Sequence, residues 1–210
     1  MPDPASTAPV IATYGTTDPT APLVVLLHGR GSDADDIITW ASALPVGPAY
    51  VAVRAPIALE DGFAWFDNRG TGRPVQASLR ATMAWFTGWL GTVAPAGRPV
   101  VLIGFSAGAT FAGGLVLEHP ERYCGVAVLH GTLPFDAGVA VTPGRLAGVQ
   151  VLVAQGEEDA VIPRELLDRT WSYLIAESKA VLRVQRSSGG HPVDGEALSE
   201  LGGWLEVVLG

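Results

Sequence analysis

Short runs of apolar residues recur along the chain, separated by patterns typical of helices. Each run holds five or six residues rich in Val, Leu and Ile, as expected for a strand buried on both faces. The runs are Leu23 to Leu27, Tyr50 to Arg54, Val100 to Phe105, Gly125 to Leu129, Val149 to Ala154 and Val181 to Gln185, with Val10 to Tyr14 as a candidate edge strand. Strands that alternate with helices predict βαβ units and a mostly parallel sheet.

Between these runs, apolar residues recur at spacings of three and four, the period of a helix that packs one face on a sheet. The three series are Leu79, Met83, Phe86, Leu90 and Val93; Leu167, Trp171 and Leu174; and Leu198, Leu201, Leu205 and Val208. A further helix is predicted after Asp33, because an acid at the N-cap and acids in the first turn favour a helix start. We interpret Asp33, Asp35 and Asp36 as this cap and predict no metal site.

Two segments depart from the alternation. Residues 1–9 are rich in Pro, Ala, Ser and Thr and are predicted to form a mobile tail, while residues 10–210 suit a single domain with one core. The segment from residue 55 to residue 76 combines Pro, Gly and Arg with aromatic residues and shows no period. We interpret it as a long functional loop. The expected fold class is therefore α/β, with helices on both faces of the sheet.

Composition narrows the choice of partners. Hydrophobic residues make up 48% of the chain and charged residues 16%, which suits a buried sheet under helices. The net charge of -8 would repel a phosphate backbone, so no nucleic-acid partner is expected. No apolar stretch approaches the ~20 residues that span a bilayer, and the N-terminus lacks the pattern of a secretory signal. We therefore expect a cytoplasmic protein. The single cysteine, Cys124, is expected to be buried and without a catalytic role.

The most informative local motif is Gly-Phe-Ser-Ala-Gly at residues 104–108, which lies between a predicted strand and a helix-like stretch. A strand, a tight G-x-S-x-G turn and a helix form the nucleophile elbow of an α/β-hydrolase, and this makes Ser106 the candidate nucleophile. The flanking glycines would be required because a side chain at either position would crowd the turn.

A serine hydroxyl becomes a good nucleophile when an imidazole takes its proton and a carboxylate fixes that imidazole. Asp159 and His191 each follow a predicted strand, and the order Ser, Asp, His is the one that α/β-hydrolases use. Glu157 and Glu158 are the rival acids, but Asp159 is nearest the middle of its loop.

Other histidines compete with His191 as the base. His130 also follows a strand and ranks second, because no acid follows it at a triad-like position. His28 comes too early in the chain and is interpreted as shaping a glycine turn. His119 precedes Pro120 at a helix end, where an imidazole commonly caps carbonyls or meets solvent.

An acyl-transfer site also needs donors for the oxyanion that develops during attack. We predict the backbone N–H of Ala107, the residue after the nucleophile, and that of Arg30, in the glycine-rich turn Gly29-Arg30-Gly31. The Arg30 side chain has two open interpretations. It could point into the pocket and favour carboxylate-bearing substrates, or it could form a salt bridge with one of the acids at positions 33, 35 and 36.

With these motifs in place, the chain resembles the phospholipase/carboxylesterase family of small α/β-hydrolases, which includes bacterial carboxylesterases and acyl-protein thioesterases. The resemblance rests on Leu-His-Gly-Arg-Gly (27–31), Arg-Ala-Pro (54–56), Ala-Trp-Phe-Asp (64–67), Gly-Phe-Ser-Ala-Gly (104–108), residues 156–163 and Gly-His (190–191). It implies an α/β-hydrolase fold and the catalytic roles of Ser106, Asp159 and His191. Ala107, Arg30 and His130 depart from residues frequent in the family, which bears on the substrate.

These inferences predict a serine hydrolase that cleaves carboxylic esters with small to medium acyl groups and needs no cofactor. The stretch from Gly131 to Gly148 is too short for a large cap, so the pocket should be open. Trp65 is a weak candidate substrate contact, as are Phe66, Phe63 and His130, although core packing of one or two of the aromatic residues is an equal alternative. A thioesterase and a non-catalytic binding scaffold are the alternative functions, and a homodimer is left open.

Overall fold

A computed structural model describes residues 8–210 and contains a seven-stranded sheet. The strands of this sheet are β1 (Ile11–Gly15), β2 (Leu23–Leu27), β3 (Ala49–Val53), β6 (Val100–Phe105), β7 (Gly125–Leu129), β8 (Gln150–Gly156) and β9 (Val181–Ser187). They lie in the order β1-β3-β2-β6-β7-β8-β9, and all neighbouring strands are parallel except β1, which pairs antiparallel with β3 at one edge. The predicted strands, including the edge strand, are therefore confirmed within two residues at each end, and the structure adds that the edge strand is antiparallel.

Successive side chains of the central strands enter two separate hydrophobic clusters, because the pleat sends them to opposite faces. In β2, Val25 and Leu27 belong to one cluster, and Val24 and Leu26 belong to the other. All five residues of β2 are buried, as are all five of β7. A sheet buried on both faces explains why these strands are continuous apolar runs and not alternating ones.

Helices cover both faces of the sheet. Residues of α2 (Gln76–Val93), α3 (Ala107–Glu118) and α4 (Arg164–Ser172) join the first cluster, and residues of α1 (Ala34–Ile37) and α5 (Gly195–Leu209) join the second. Helix α1 continues as the 3₁₀ helix Ile38–Ala43, α4 continues as a π-helical turn at Tyr173–Glu177, and Pro120–Arg122 forms a 3₁₀ turn. Asp33 caps α1 as predicted, in a capping box with Asp36.

No helix or strand of the described chain lies between the end of β7 at Leu129 and the start of β8 at Gln150. Together with the mostly parallel sheet and the helices on both of its faces, this short connection confirms the predicted α/β architecture without a large cap in the described chain. Among the helices of residues 8–210, none combines the length and the apolar character needed to cross a membrane. The predicted tail at residues 1–9 lies outside the described residues except for its last two positions.

The segment from residue 55 to residue 76 is more ordered than its sequence indicates. It contains a small antiparallel hairpin of β4 (Ile57–Ala58) and β5 (Phe63–Ala64), and Phe63 forms a bridge to Ser32. The expected burial of Cys124 is wrong, because this residue is exposed. It precedes β7, where its N–H donates to the Val100 carbonyl at 2.8 Å and its side chain lies outside the core.

Candidate active site

Ser106 lies in the sharp turn between β6 and α3, with φ 55° and ψ -116°. A positive φ is strained for a residue with a side chain, and such strain is typical of functional turns. A Cβ at Gly104 would overlap the backbone of Gly108, and a Cβ at Gly108 would overlap the carbonyl of Leu27. The two glycines therefore permit the turn and bring the start of α3 against the end of β2.

A chain of two hydrogen bonds connects Ser106 to a buried carboxylate. The Ser106 hydroxyl lies 2.9 Å from Nε2 of His191, and Nδ1 of His191 lies 2.8 Å from Oδ2 of Asp159. The three residues come from three separate segments of the chain, up to 85 positions apart. They meet because each follows a parallel strand and the carboxyl ends of those strands share one edge of the sheet. The structure thus brings together the three residues singled out from the sequence.

The loops that carry Asp159 and His191 are bonded to each other through their backbones. The N–H of Glu157 donates to the carbonyl of Ser187 at 2.8 Å, and the N–H of Glu158 donates to the carbonyl of Gly189 at 3.0 Å. Both rival acids are exposed, whereas the Asp159 side chain has no exposed surface. The geometry therefore selects Asp159 over its two neighbours as the partner of the imidazole.

Asp159 is held as a carboxylate by its hydrogen bonds. Burial acts to raise its pKa, but the bond from His191 and the N–H groups of Ile162 and Val161 act against burial and leave the pKa below its usual range. The two N–H groups both donate to Oδ1, at 3.0 and 2.8 Å. Oδ2 is left for His191, so Nδ1 of the imidazole carries the proton and Nε2 is free to accept from the serine hydroxyl.

The turn Gly29-Arg30-Gly31 follows β2 and is fixed by the β4–β5 hairpin. The N–H of Gly31 donates to the carbonyl of Phe63 at 2.9 Å, and the N–H of Phe63 donates to the carbonyl of Ser32 at 3.1 Å. Within the described chain, the N–H groups of Arg30 and Ala107 have no hydrogen-bond acceptor. Both residues line the same pocket as Ser106, so these two amides are available to an oxyanion.

The buried ring of His28 supports this turn, in agreement with the prediction that His28 shapes a glycine turn. The ring is fully buried, with Nδ1 donating to the Gly29 carbonyl at 2.7 Å and Nε2 accepting from the N–H of Ala55 at 3.1 Å. Burial lowers its pKa, and the Gly29 hydrogen bond only partly opposes this effect. A neutral imidazole with one donor and one acceptor satisfies both backbone groups.

A pocket of about 380 Å³ opens at Ser106 and His191. One part of its lining is apolar and consists of Phe66, Phe105, Val161 and Ile162. The other part is polar and consists of Arg30, Ser32, Asn68, Thr71 and Thr110. The sequence analysis missed most of these residues. Thr110 lies one helical turn after Ser106, and residues 161 and 162 closely follow Asp159, so their spacing from the predicted site was an available signal.

Of the aromatic candidates, only Phe66 lines the pocket. Trp65 is fully buried, stacks on Phe111 with ring centroids 4.5 Å apart, and donates its indole N–H to the His28 carbonyl at 2.8 Å. This corrects the expected substrate contact at Trp65 in favour of core packing. Phe63 is half-buried outside the pocket lining, with the Arg54 guanidinium 4.5 Å from its ring centroid.

His130 lies behind the loop of His191 and does not line the pocket. It is buried, has a φ of 47°, and its Nδ1 lies 3.1 Å from the carbonyl of Gly190, the residue before His191. Burial lowers the pKa of His130, partly opposed by that hydrogen bond. The geometry therefore favours support of the His191 loop over contact with substrate. His119 ends α3, where its ring is exposed 3.6 Å from the Glu121 carboxylate.

The chain is similar in sequence to one protein family and in fold to several solved esterases and thioesterases. The model of the family described as phospholipase/carboxylesterase matches residues 8–209. Among solved structures, a carboxylesterase from Bacillus cereus has a TM-score of 0.84 at 19% identity, over 97% of this chain and 96% of that one. A carboxylesterase from Mesorhizobium loti has a TM-score of 0.78 at 25% identity, over 92% and 98% of the two chains. Acyl-protein thioesterase 2 from Zea mays has a TM-score of 0.77 at 22% identity, over 96% and 100%.

Proposed function

Because this chain belongs to the phospholipase/carboxylesterase family of α/β-hydrolases, we propose that it cleaves carboxylic esters with Ser106 as the nucleophile. The observation that carries the proposal is the continuous hydrogen-bond chain from Asp159 through His191 to the Ser106 hydroxyl. The Ser106 hydroxyl, at the end of this series of hydrogen bonds, lies in a pocket large enough for a small ester. Acyl transfer by a serine uses a nucleophile, a base and an acid that are hydrogen-bonded in this order, which supports the proposal.

In the first half of the reaction, Oγ of Ser106 attacks the ester carbonyl while Nε2 of His191 takes the hydroxyl proton. The buried carboxylate of Asp159 stabilises the imidazolium that forms. The negative charge moves to the carbonyl oxygen, where the N–H groups of Arg30 and Ala107 donate to it. Ala107 is the first residue of the 12-residue helix α3, whose N-terminal dipole adds to this stabilisation. The oxyanion then collapses, and the alcohol leaves with the proton held by His191.

The second half reverses these roles with water. The acyl group remains bonded to Ser106, and His191 removes a proton from a water molecule that attacks the same carbonyl. The second oxyanion occupies the same two amides, and its collapse releases the carboxylic acid and restores the serine. Apart from the ester and the water molecule, these steps use side chains and backbone groups of this chain.

The pocket favours small to medium acyl groups. Its volume of about 380 Å³ lies near the lower end of the range for small-molecule sites. In the described chain, no helix covers the pocket from the stretch after β7, so longer groups would extend into solvent and gain little further contact. We therefore expect activity to reach a plateau or fall once the acyl chain outgrows the apolar wall of Phe66, Phe105, Val161 and Ile162.

Turnover of 4-nitrophenyl esters from acetate to laurate tests the proposal. Ser106→Ala should lose about 10⁴-fold or more in kcat. Ser42→Ala is the matched control, because this hydroxyl only donates to the carbonyl of Thr39 on the surface, and it should keep wild-type kinetics. Hydrolysis that survives in Ser106→Ala would refute the assignment.

A matched oxyester and thioester, compared in the same assay, distinguish the two substrate classes that share an acyl-enzyme. A higher kcat/KM for the oxyester is expected. A large preference for the thioester would replace the ester assignment and leave the role of Ser106 intact.

A further inference from the structure

Arg30 occupies an unusual place in the pocket. Among the described residues that line it, Arg30 carries the single permanent charge, and no Asp or Glu is among them. Its Nη1 donates to the carbonyl of Phe66 at 3.2 Å, and Phe66 is itself part of the lining. The guanidinium therefore has a neutral acceptor in the lining, and Arg30 itself is exposed.

Two of the three nearby acids, Asp33 and Asp36, have other partners. Asp33 forms a two-pronged ion pair with Arg54, with Nε to Oδ1 at 2.8 Å and Nη2 to Oδ2 at 2.7 Å. Asp36 accepts from the hydroxyl of Ser32 at 2.8 Å and from the N–H of Asp33 at 3.1 Å. Within residues 8–210, no carboxylate lies within 4.0 Å of the Arg30 guanidinium. The expected salt bridge between Arg30 and one of these acids is therefore not formed.

A second polar group of the same pocket also lacks a partner. Oδ1 of Asn68 is buried and has no hydrogen bond to the described chain, although Asn68 lies in the pocket lining. A buried polar atom without a partner costs free energy unless a ligand supplies one. The amide can present its oxygen to a donor or, after rotation, its NH₂ to an acceptor. Arg30 and Asn68 are therefore two polar residues of a lining that also includes the apolar Phe66, Phe105, Val161 and Ile162.

We propose that this pocket selects esters that carry a free carboxylate, bound by the Arg30 guanidinium with Asn68 as a second polar contact. The inference rests on the proposed esterase function and specifies its substrate class. One residue would then act twice, since the Arg30 backbone N–H meets the oxyanion and its side chain meets the carboxylate. The carboxylate would lie only a few bonds from the scissile carbonyl. A guanidinium suits this task because its planar fork matches the two oxygens of a carboxylate.

The test compares esters that differ only in charge. The first pair is mono-4-nitrophenyl adipate and 4-nitrophenyl adipamate, which place the carboxylate or its neutral amide on the acyl side. The second pair is 4-acetoxybenzoate and 4-acetoxybenzamide, which place them on the alcohol side. For each protein, the readout is the ratio of kcat/KM for the acid to kcat/KM for the amide. Any effect of a substitution on the oxyanion amide cancels in this ratio.

The wild type should prefer the acid in at least one pair, and Arg30→Gln should reduce that ratio about tenfold, as the loss of a charged hydrogen bond predicts. Arg30→Lys keeps the charge without the fork and should give an intermediate ratio. Arg80→Gln removes an equal charge from α2, where Arg80 donates to the carbonyl of Gly138 outside the pocket, and should keep the wild-type ratio. Equal ratios in the wild type and Arg30→Gln for both pairs, with neutral esters still hydrolysed, would overturn the inference and leave the esterase function standing.

A binding measurement keeps the inference testable even if no ester is hydrolysed. Calorimetry on Ser106→Ala should show that adipate binds more tightly than adipamic acid methyl ester, a neutral analogue of similar length. This difference should disappear when Arg30→Gln is added. Equal binding of the two compounds to Ser106→Ala would overturn the inference. Failure of the proposed function would appear separately, as ester hydrolysis that does not depend on Ser106.

Discussion

Replacing Asp159 with Asn exchanges one carboxylate oxygen for NH₂. This change should reverse donor and acceptor in both hydrogen bonds that connect residue 159, His191 and Ser106. Oδ1 of Asp159 accepts from the N–H groups of Val161 and Ile162, so the oxygen of the new amide is held there. The NH₂ must then take the place of Oδ2, which in the wild type lies 2.8 Å from Nδ1 of His191. Two donors cannot face each other, so the imidazole proton moves to Nε2. The ring then donates to the Ser106 hydroxyl and cannot take its proton.

The cost of escaping this arrangement can be worked from the same contacts. Rotating the amide would restore an acceptor for His191 but would leave two backbone N–H groups without one. At about 1–3 kcal/mol for each unsatisfied donor, the rotation costs about 2–6 kcal/mol. This corresponds to a loss of about 30-fold to about 10⁴-fold in rate. The substitution also removes the negative charge that stabilises the imidazolium, so we expect a loss near the upper end, about 10⁴-fold in kcat.

The assay is steady-state hydrolysis of the best 4-nitrophenyl ester, with thermal unfolding measured in parallel. Asp159→Asn should remain folded, because its oxygen keeps both backbone donors. Glu158→Gln is the matched control, since this neighbouring acid is exposed, and it should retain wild-type kcat. If Asp159→Asn kept more than about a tenth of the wild-type kcat, the reasoning on the imidazole tautomer would be refuted. A large loss in Glu158→Gln would show that the wrong acid had been chosen.

Further substitutions test other parts of the structure. Gly108→Ala should abolish activity and lower the free energy of unfolding in urea by about 1–3 kcal/mol or more, because its Cβ would overlap the backbone. Gly91→Ala is the control, since its Cβ would enter open space, and it should leave this free energy unchanged or raise it. Trp65→Phe loses the buried indole hydrogen bond and should cost about 1–2 kcal/mol in the same assay with little change in ester KM; a large rise in KM would restore the substrate contact. Burial lowers the pKa of His130, so the unfolded chain binds more protons and the free energy of unfolding should fall as the pH drops below about 6.5. His130→Asn should weaken this pH dependence; equal slopes for the wild type and His130→Asn in urea unfolding would contradict the assignment.

Much of the fold was predictable because its strands are buried on both faces and therefore appear as uninterrupted apolar runs. The bounds of β2, β6 and β7 agree with the predicted runs at both ends. The segment from residue 55 to residue 76 was harder, since the β4–β5 hairpin has two residues in each strand, too few to show a period. The π-helical turn after α4 likewise left no separate signal, because its apolar spacing continues that of the helix.

The three residues of the proposed triad could be singled out because each must follow a strand at one edge of the sheet, a rule that depends on chain order alone. The pocket wall was less predictable. Trp65 and Phe66 are adjacent in the bend that follows β5, yet Trp65 packs in the core and Phe66 lines the pocket. Which of them meets the pocket depends on how the β4–β5 hairpin packs against the turn after β2. No property of the two residues themselves decides this.

Arg30 illustrates a second limit. Because three acids follow Arg30 closely in the sequence, a local salt bridge was the natural expectation. In the structure, Asp33 instead forms an ion pair with Arg54, which directly follows β3, the strand paired with β2. Competition between two arginines for one carboxylate depends on tertiary neighbours. The result changes the chemistry of the pocket, because the charge of Arg30 is left available to a substrate.

The central claim is that Ser106 is the nucleophile, activated through His191. Its most direct test is labelling of the folded protein with a fluorophosphonate probe, followed by mass spectrometry of the resulting peptides. We predict one adduct, on Ser106, formed in parallel with the loss of ester hydrolysis and strongly slowed in His191→Ala. An adduct on another residue, or full ester hydrolysis in protein whose Ser106 is completely labelled, would contradict the account.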